Sequence, residues 1–186
     1  MKTTLILLGF FIFINFGFIA NKVKVKITNK SEVTIKGKSN VNSFTCKYDS
    51  DFIEDEIYVT LTKQNAKTLL EDAKISIKSN GFDCAHKMIT KDFKTILKAE
   101  EYSHIKVEVK EINQQKKLVF AKVKVEIAGK TNEYTIPITL DAKNNNVKGL
   151  LKINIKDFHL KPPKKLLGMV VVNDNVEINF NLFLHY

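Results

Sequence analysis

Hydrophobic and polar residues alternate with a period of two along most of the chain beyond its first twenty residues. Val23, Val25 and Ile27 alternate with lysines, and the same pattern runs longer from Val119 to Ile127. Successive side chains of a β-strand point to opposite faces, so this alternation predicts strands with one buried face. Similar runs lie near residues 33–35, 57–61, 75–77, 105–109, 134–140, 147–155 and 176–184.

Short polar loops separate several of these runs. Residues 128–130 (Ala-Gly-Lys) and 143–146 (Lys-Asn-Asn-Asn) each join two alternating segments, and Asn173-Asp174-Asn175 precedes the final one. Loops of this kind favour antiparallel hairpins. The pattern therefore predicts an all-β fold with up-and-down strands, and closing them into a barrel of about eight strands would remove exposed edges. A β-sandwich is the alternative.

Only one segment has the period of a helix. Phe93, Ile96 and Leu97 fall at i, i+3 and i+4, Thr90 is a candidate N-cap, and Asp92 suits the positive end of the helix dipole. One short helix is therefore expected among the strands.

The N-terminus has the pattern of an export signal. Lys2 precedes an uncharged apolar run at residues 5–20, which is short for a membrane span. We expect residues 1–20 to be a secretory signal peptide, with cleavage near Ala20, and residues 21–186 to form one domain. The expected location of the mature protein is periplasmic or secreted. An uncleaved anchor is the alternative.

The net charge excludes few classes of function, but the kind of basic residue disfavours nucleic acid as a partner. The formal net charge is +10, and all 30 Lys and Arg residues are lysines. Arginine is preferred for bidentate recognition of phosphate and guanine, so a solvated lysine-rich surface is the simpler interpretation. Lys161, Pro162, Pro163, Lys164 and Lys165 form a stiff basic turn that could make a transient contact with a membrane surface.

Cys46 and Cys84 are the two cysteines of the chain. An even cysteine count in an exported chain predicts a disulfide. Two free buried thiols, or a metal site that adds His86 and His104, are the alternatives, although the spacing fits no common zinc pattern.

Motifs of catalysis are missing from the sequence. It has no G-x-S-x-G, no H-E-x-x-H and no glycine-rich phosphate loop. We therefore expect no enzyme activity, no catalytic residues, no metal and no cofactor. The remaining alternative is an enzyme that acts on a bound amphiphile through Asp83 and His86, with Ser79 as the third member of a catalytic triad.

Four segments together resemble the YceI-like family. Residues 37–46 (GKSNVNSFTC) are similar to its G-x-S-x-V-x-x-F opening, and residues 82–109 to its central loop, helix and strand. Residues 124–140 resemble its G-x-t hairpin, and residues 149–184 its closing D-F-x-i-x-P-P pattern. The order and spacing of these segments cover nearly the whole mature chain.

The resemblance implies a lipocalin-like antiparallel barrel that binds an apolar ligand, such as a polyisoprenoid quinone or another lipid, in a tunnel and without catalysis. A structural or protein-interaction barrel with a filled core is the alternative, and a homodimer is left open. In the fold that the resemblance implies, the cysteines would tie an N-terminal strand to the loop before the helix. Alternation supplies candidate ligand-binding residues on either face of the strands: Phe44, Phe82, Val107, Val109, Val123, Val125, Ile136, Ile138, Ile153, Phe158, Ile178 and Phe180.

Overall fold

The computed structural model describes residues 20–53, 56–162 and 171–186, which form a twelve-stranded antiparallel sheet and one α-helix. The expected signal peptide (except Ala20) and Pro163, Lys164 and Lys165 of the basic turn lie outside the described residues. The strands are β1 (Ala20–Ile27), β2 (Glu32–Lys38), β3 (Ser43–Tyr48), β4 (Glu56–Gln64), β5 (Lys67–Glu71), β6 (Lys74–Lys78), β7 (Phe82–Asp83), β8 (His104–Gln115), β9 (Leu118–Ile127), β10 (Lys130–Asp141), β11 (Asn146–Asn154) and β12 (Asn175–His185).

Eight of these strands close into a ring. Their order is β1-β4-β5-β8-β9-β10-β11-β12, and β12 returns to β1 through the pairs Lys26–His185 and Ile27–Leu184. A closed ring leaves no unpaired edge along its circuit. The chain therefore forms the antiparallel, lipocalin-like barrel of about eight strands, with one short helix, that the sequence predicts.

The remaining strands extend one end of the barrel wall. Along the same edge of β12, residues Glu177 to Asn181 pair with β2, and Leu184 and His185 pair with β1. β2 and β1 therefore follow one another along that edge. β3 and β7 follow β2 in the sheet. On the other side, β8 pairs with β6 near its start and with β5 near its end.

A β-bulge in β8 keeps the apolar residues of this strand on the inner face. The pairing of β8 with β9 shifts between Val109 and Glu111, so two residues of β8 oppose one residue of β9 there. Val107 and Val109 are odd-numbered, whereas the next apolar residue, Ile112, is even-numbered. The bulge corrects this change of phase, and all three side chains face the interior.

The hairpin at residues 128–129 is confirmed. Ala128 and Gly129 have φ values of 47° and 71°. Two consecutive residues with positive φ are typical of the two-residue turns whose twist matches antiparallel strands. Between β10 and β11 the Asp141 carboxylate accepts hydrogen bonds from the backbone N–H groups of Lys143 and Asn144. Hydrogen bonds from Asn144, first of all from its side chain, hold the pKa of Asp141 below its usual value.

The helix, α1 (Lys87–Ile96), begins three residues earlier than Thr90, the predicted N-cap. Thr90 Oγ1 instead accepts a hydrogen bond from the backbone N–H of Cys84, 3.0 Å away. The hydroxyl therefore ties the helix to the segment after β7, and His86 occupies the N-cap position without a side-chain cap. No helix within the described residues has the length and apolar character needed to cross a membrane.

Candidate functional site

The barrel encloses a cavity of about 240 Å³. Inward-facing side chains of β1–β3 and β6–β12 line it, and α1 covers it with Phe93 and Ile96. β4 and β5 contribute none of the lining residues, so the cavity occupies the part of the barrel that α1 covers. An apolar cavity of about 150 Å³ already accepts benzene, and drug-sized ligands use about 300–1,000 Å³. The volume is therefore sufficient for part of an apolar chain.

The predicted ligand-binding residues cluster at this cavity, with one exception. Phe44, Phe82, Val107, Val109, Val123, Val125, Ile136, Ile138, Ile153, Ile178 and Phe180 all line it. Phe158 does not line the cavity. It lies in a 3₁₀ turn (Ile155–Phe158) instead of a strand, so strand alternation does not govern its direction. It is 1% exposed and packs beside Tyr134, with ring centroids 6.3 Å apart.

Sequence alternation alone left many other lining residues unassigned. Val33 and Ile35 of β2 face the cavity, and their alternation was visible, but nothing in the sequence shows which face of the sheet is inside. The apolar face of α1 is a different case. Its i, i+3, i+4 spacing predicted a buried helix face without showing that the face lies over a cavity. The other lining residues outside the predicted set are Ile27, Tyr48, Phe52, Ile53, Ile75, Ser76, Ile77, Leu97, Ile105, Ile112, Ala121, Ile127, Val147, Leu151, Ile155, Leu160, Val172, Asn173, Val176 and Leu182.

The lining is almost entirely hydrocarbon. Across the described part of the chain, no Asp, Glu, Lys or His lines the cavity, and its lining residues of polar type are Tyr48, Ser76 and Asn173. The Tyr48 hydroxyl already accepts a hydrogen bond from the backbone N–H of Lys78, 3.0 Å away. Burying a charge without a partner costs far more than burying a hydrocarbon, so this lining favours a neutral apolar group.

Phe52 and Asn173 mark the approaches to the cavity, because both line it and are also exposed. Phe52 follows β3 and packs against Tyr48 with ring centroids 6.4 Å apart, and the Lys78 ammonium lies 4.6 Å from the Phe52 ring centroid. Asn173 lies beside the opposite end of β3, where its backbone N–H donates to the Lys38 carbonyl oxygen over 2.8 Å. A polar group on a bound chain would reach water at either place.

Cys46 and Cys84 form a disulfide, which confirms the predicted pairing. Both are buried, and the bond joins β3 to the segment between β7 and α1. Because both sulfur atoms are bonded to each other, the alternatives with free thiols or a thiolate-bound metal do not apply. No group of three or more potential metal ligands occurs within the described residues.

The disulfide stands next to an aromatic cluster that holds α1 over the cavity. Phe82 contacts Tyr48 at 5.0 Å and Phe93 of α1 at 5.4 Å between ring centroids. Aromatic pairs at these distances stabilise by about 0.5–1.5 kcal/mol beyond their buried area. The disulfide therefore fixes the segment that leads into α1, and the aromatic cluster fixes α1 itself through Phe93.

Asp83, His86 and Ser79 do not form a catalytic arrangement. Ser79 is 1% exposed, and its hydroxyl donates to the Tyr102 carbonyl oxygen over 2.8 Å. Asp83 Oδ1 accepts from the backbone N–H of Ala85 at 2.6 Å. Asp83 and His86 lie in an exposed polar groove along α1, outside the apolar cavity.

The tyrosine with the most strongly shifted pKa lies away from the cavity. Burial raises the pKa of Tyr134 to about 12, and the negative charge of Asp157 adds to the shift. Tyr134 packs against Phe158 and does not line the cavity. This shift therefore describes the packing of β10 against the Ile155–Phe158 turn and does not identify a reactive group.

Comparison with one solved structure supports the same fold. The chain is similar to BcnA of Burkholderia cenocepacia, with a TM-score of 0.61, 20% sequence identity, and coverage of 84% of this chain and 97% of that one. It also matches the YceI protein of Campylobacter jejuni at a TM-score of 0.41 and 14% identity, over 64% of this chain and 72% of that one. No curated protein sequence matches the chain.

The family model for the YceI-like domain matches residues 25–184, which include β2–β11 completely, parts of β1 and β12, and the whole cavity lining. The match covers far more than half of the chain and agrees with the segments that carried the resemblance. The chain therefore belongs to the YceI-like family.

Proposed function

We propose that this protein is an exported, non-catalytic binding protein that holds an apolar isoprenoid, or a similar lipid or amphiphile, in its barrel. The observation that carries the proposal is the cavity of about 240 Å³ with its hydrocarbon lining. Each CH₂ group transferred from water into such a lining contributes about 0.8 kcal/mol. A ligand that is nearly insoluble in water would therefore bind here without any specific polar contact.

The size of the cavity argues against a barrel that is only a scaffold. Protein interiors are close-packed, and voids larger than a water molecule are few. A structural or interaction module with a filled core would not need so large an apolar space at its centre. A polyisoprenoid quinone fits the proposal with its tail inside and its ring near Phe52 or Asn173, where the cavity approaches the surface.

Export is part of the proposal. Disulfides persist in oxidising compartments, and the bond between Cys46 and Cys84 is consistent with a periplasmic or secreted location. The sequence of residues 1–20 supplies the other support, through its lysine and its uncharged apolar run.

Native mass spectrometry tests ligand binding directly. Protein purified without detergent or organic solvent should carry an additional apolar mass, or should take up added farnesol, and lose it on denaturation. Ala121→Leu, which adds atoms to the lining of β9, should reduce uptake. Lys122→Ala is the matched control, because Lys122 is the next residue of the same strand and forms an exposed ion pair with Glu133.

Wild-type protein that is empty as purified and does not take up farnesol would contradict the proposed function. The same spectra would show whether the chain is a monomer or the homodimer that the sequence leaves open.

We further propose that the protein collects its ligand during a transient contact with an anionic membrane. Val41 and Val171 are 66% and 60% exposed. The loop of Val41 is bonded to Val171 through Asn40, whose backbone N–H donates to the Val171 carbonyl oxygen and whose Oδ1 accepts from the Val171 N–H, both over 3.0 Å. The next residue, Val172, lines the cavity. The net charge of +10 would favour a negatively charged surface.

Vesicle sedimentation tests this contact. The protein should co-sediment with phosphatidylglycerol vesicles at low salt and be released at high salt, and Val41→Ser should slow the transfer of farnesol from these vesicles. Leu118→Ser is the control, since Leu118 is similarly exposed at 61% but lies where β8 meets β9. Equal transfer rates for Val41→Ser and wild type would refute a role for this loop.

A further inference from the structure

Two glycines of the barrel wall each lie directly under a phenylalanine ring. Gly37 of β2 is paired with Phe44 of β3, and Gly149 of β11 is paired with Phe180 of β12. A Cβ atom at Gly37 would lie 2.2 Å from Phe44 Cζ, and one at Gly149 would lie 2.3 Å from Phe180 Cζ. Real Cβ atoms do not approach other atoms so closely, so each ring rests on a place that only glycine leaves open.

Both rings lie against the wall and still border the cavity. Phe44 and Phe180 are lining residues, and each is only partly buried. Covering a strand glycine with a cross-strand aromatic ring is also a known way to stabilise a sheet. An alanine at either glycine would force the ring away from the wall. Since both side chains face the inside of the barrel, the ring would turn into the cavity.

The two pairs stand at different heights along the barrel. Lys36, the residue before Gly37, pairs with Glu177 of β12. Phe180 is three residues beyond Glu177 along β12, which corresponds to ~10 Å at the rise of a strand. A cavity of about 240 Å³ that borders rings at both heights is elongated and narrow.

We propose that Gly37 and Gly149 are specificity-determining residues that keep the cavity open at two heights, so that it accepts a single extended hydrocarbon chain and excludes fused-ring lipids. This inference rests on the proposed function and specifies its ligand class. The two phenylalanine rings narrow the cavity. Because each glycine has no side chain, its phenylalanine ring can lie against the wall, outside the path of the bound chain.

Uptake of lipids of different shape by native mass spectrometry tests the inference. Wild type should bind geranylgeraniol and should not bind cholesterol. Gly149→Ala should weaken geranylgeraniol binding by at least about tenfold, and Gly149→Ala/Phe180→Ala should restore it. Phe180→Ala alone leaves Gly149 unchanged and removes the ring that narrows the cavity, so this variant should bind cholesterol.

Gly129→Ala is the control for stability. Gly129 has a φ of 71°, so alanine is strained there, but its neighbour is Tyr102, which does not line the cavity. This variant should lose stability and keep the lipid profile of wild type.

The outcomes separate this inference from the proposed function. If wild type binds neither geranylgeraniol nor any other chain, the proposed function itself fails. If wild type binds geranylgeraniol and Gly149→Ala binds it equally, or if Phe180→Ala still excludes cholesterol, the inference is wrong while the proposed function stands. If Gly149→Ala does not fold, the result with Phe180→Ala decides.

Discussion

Replacing Phe158 by alanine should lower the free energy of unfolding by about 3–5 kcal/mol, the range for a large buried aromatic side chain. Phe158 is 1% exposed, ends the Ile155–Phe158 turn, and packs its ring beside Tyr134 of β10. Urea unfolding followed by circular dichroism measures the change. Because Phe158 does not line the cavity, variant protein that is still folded should bind farnesol as wild type does.

Phe180→Ala is the matched comparison. It removes the same ring from a residue that is partly buried and borders the cavity, so it should cost less stability and change the lipid profile. A loss below about 1 kcal/mol for Phe158→Ala, or an altered lipid profile in that variant, would contradict the burial of Phe158 outside the cavity.

Removing the disulfide should have an effect of similar size. The cysteines are 38 residues apart, and the chain-entropy model gives about 4 kcal/mol for closing a loop of that length. Cys46→Ala/Cys84→Ala should therefore unfold at a much lower urea concentration than the oxidised wild type. A reductant should lower the midpoint of wild type and leave that of the double variant unchanged.

Amide hydrogen exchange would locate the loss. The bond lies between β3 and the start of α1, so α1 should lose more protection than β9 and β10, which are held by their own pairing. Equal urea midpoints for the oxidised wild type and the double variant would mean that the bond does not constrain the unfolded chain.

The strand pattern, the closed barrel and the disulfide partners were predictable because each depends on local or simple rules. Val123 and Val125 alternate with lysines, and that alternation shows that one face of β9 is buried. It cannot show whether the buried face meets a packed core or an empty space, because that depends on how strands far apart in sequence fit together. Ligand contact by the residues that line the cavity stays a prediction.

Other features depend on tertiary contacts that leave no local pattern. α1 begins at Lys87, and Thr90 accepts a hydrogen bond from Cys84 instead of capping the helix, a contact between the helix and the segment after β7. The position of Phe158 depends on the chain leaving β11 for a 3₁₀ turn, where the strand period ends. The pairing of Gly149 with Phe180 depends on the register of β11 and β12, although a strand glycine facing a phenylalanine is a signal that could be sought in related sequences.

β12 closes the ring by joining strands from both ends of the described chain, and this has a kinetic consequence. It pairs with β11 just before it and with β1 and β2 more than 130 residues earlier. A hydrogen bond from the Phe183 backbone N–H to the Ser31 hydroxyl joins residues that are 152 positions apart. Contacts this distant in sequence slow folding, because a long loop must close before they form. Until β12 has been synthesised and has paired, β1, β2 and β11 lack a common neighbour and the cavity has no complete wall. Under the proposed export, the chain would pass the translocation channel before β12 has closed the ring and completed the cavity.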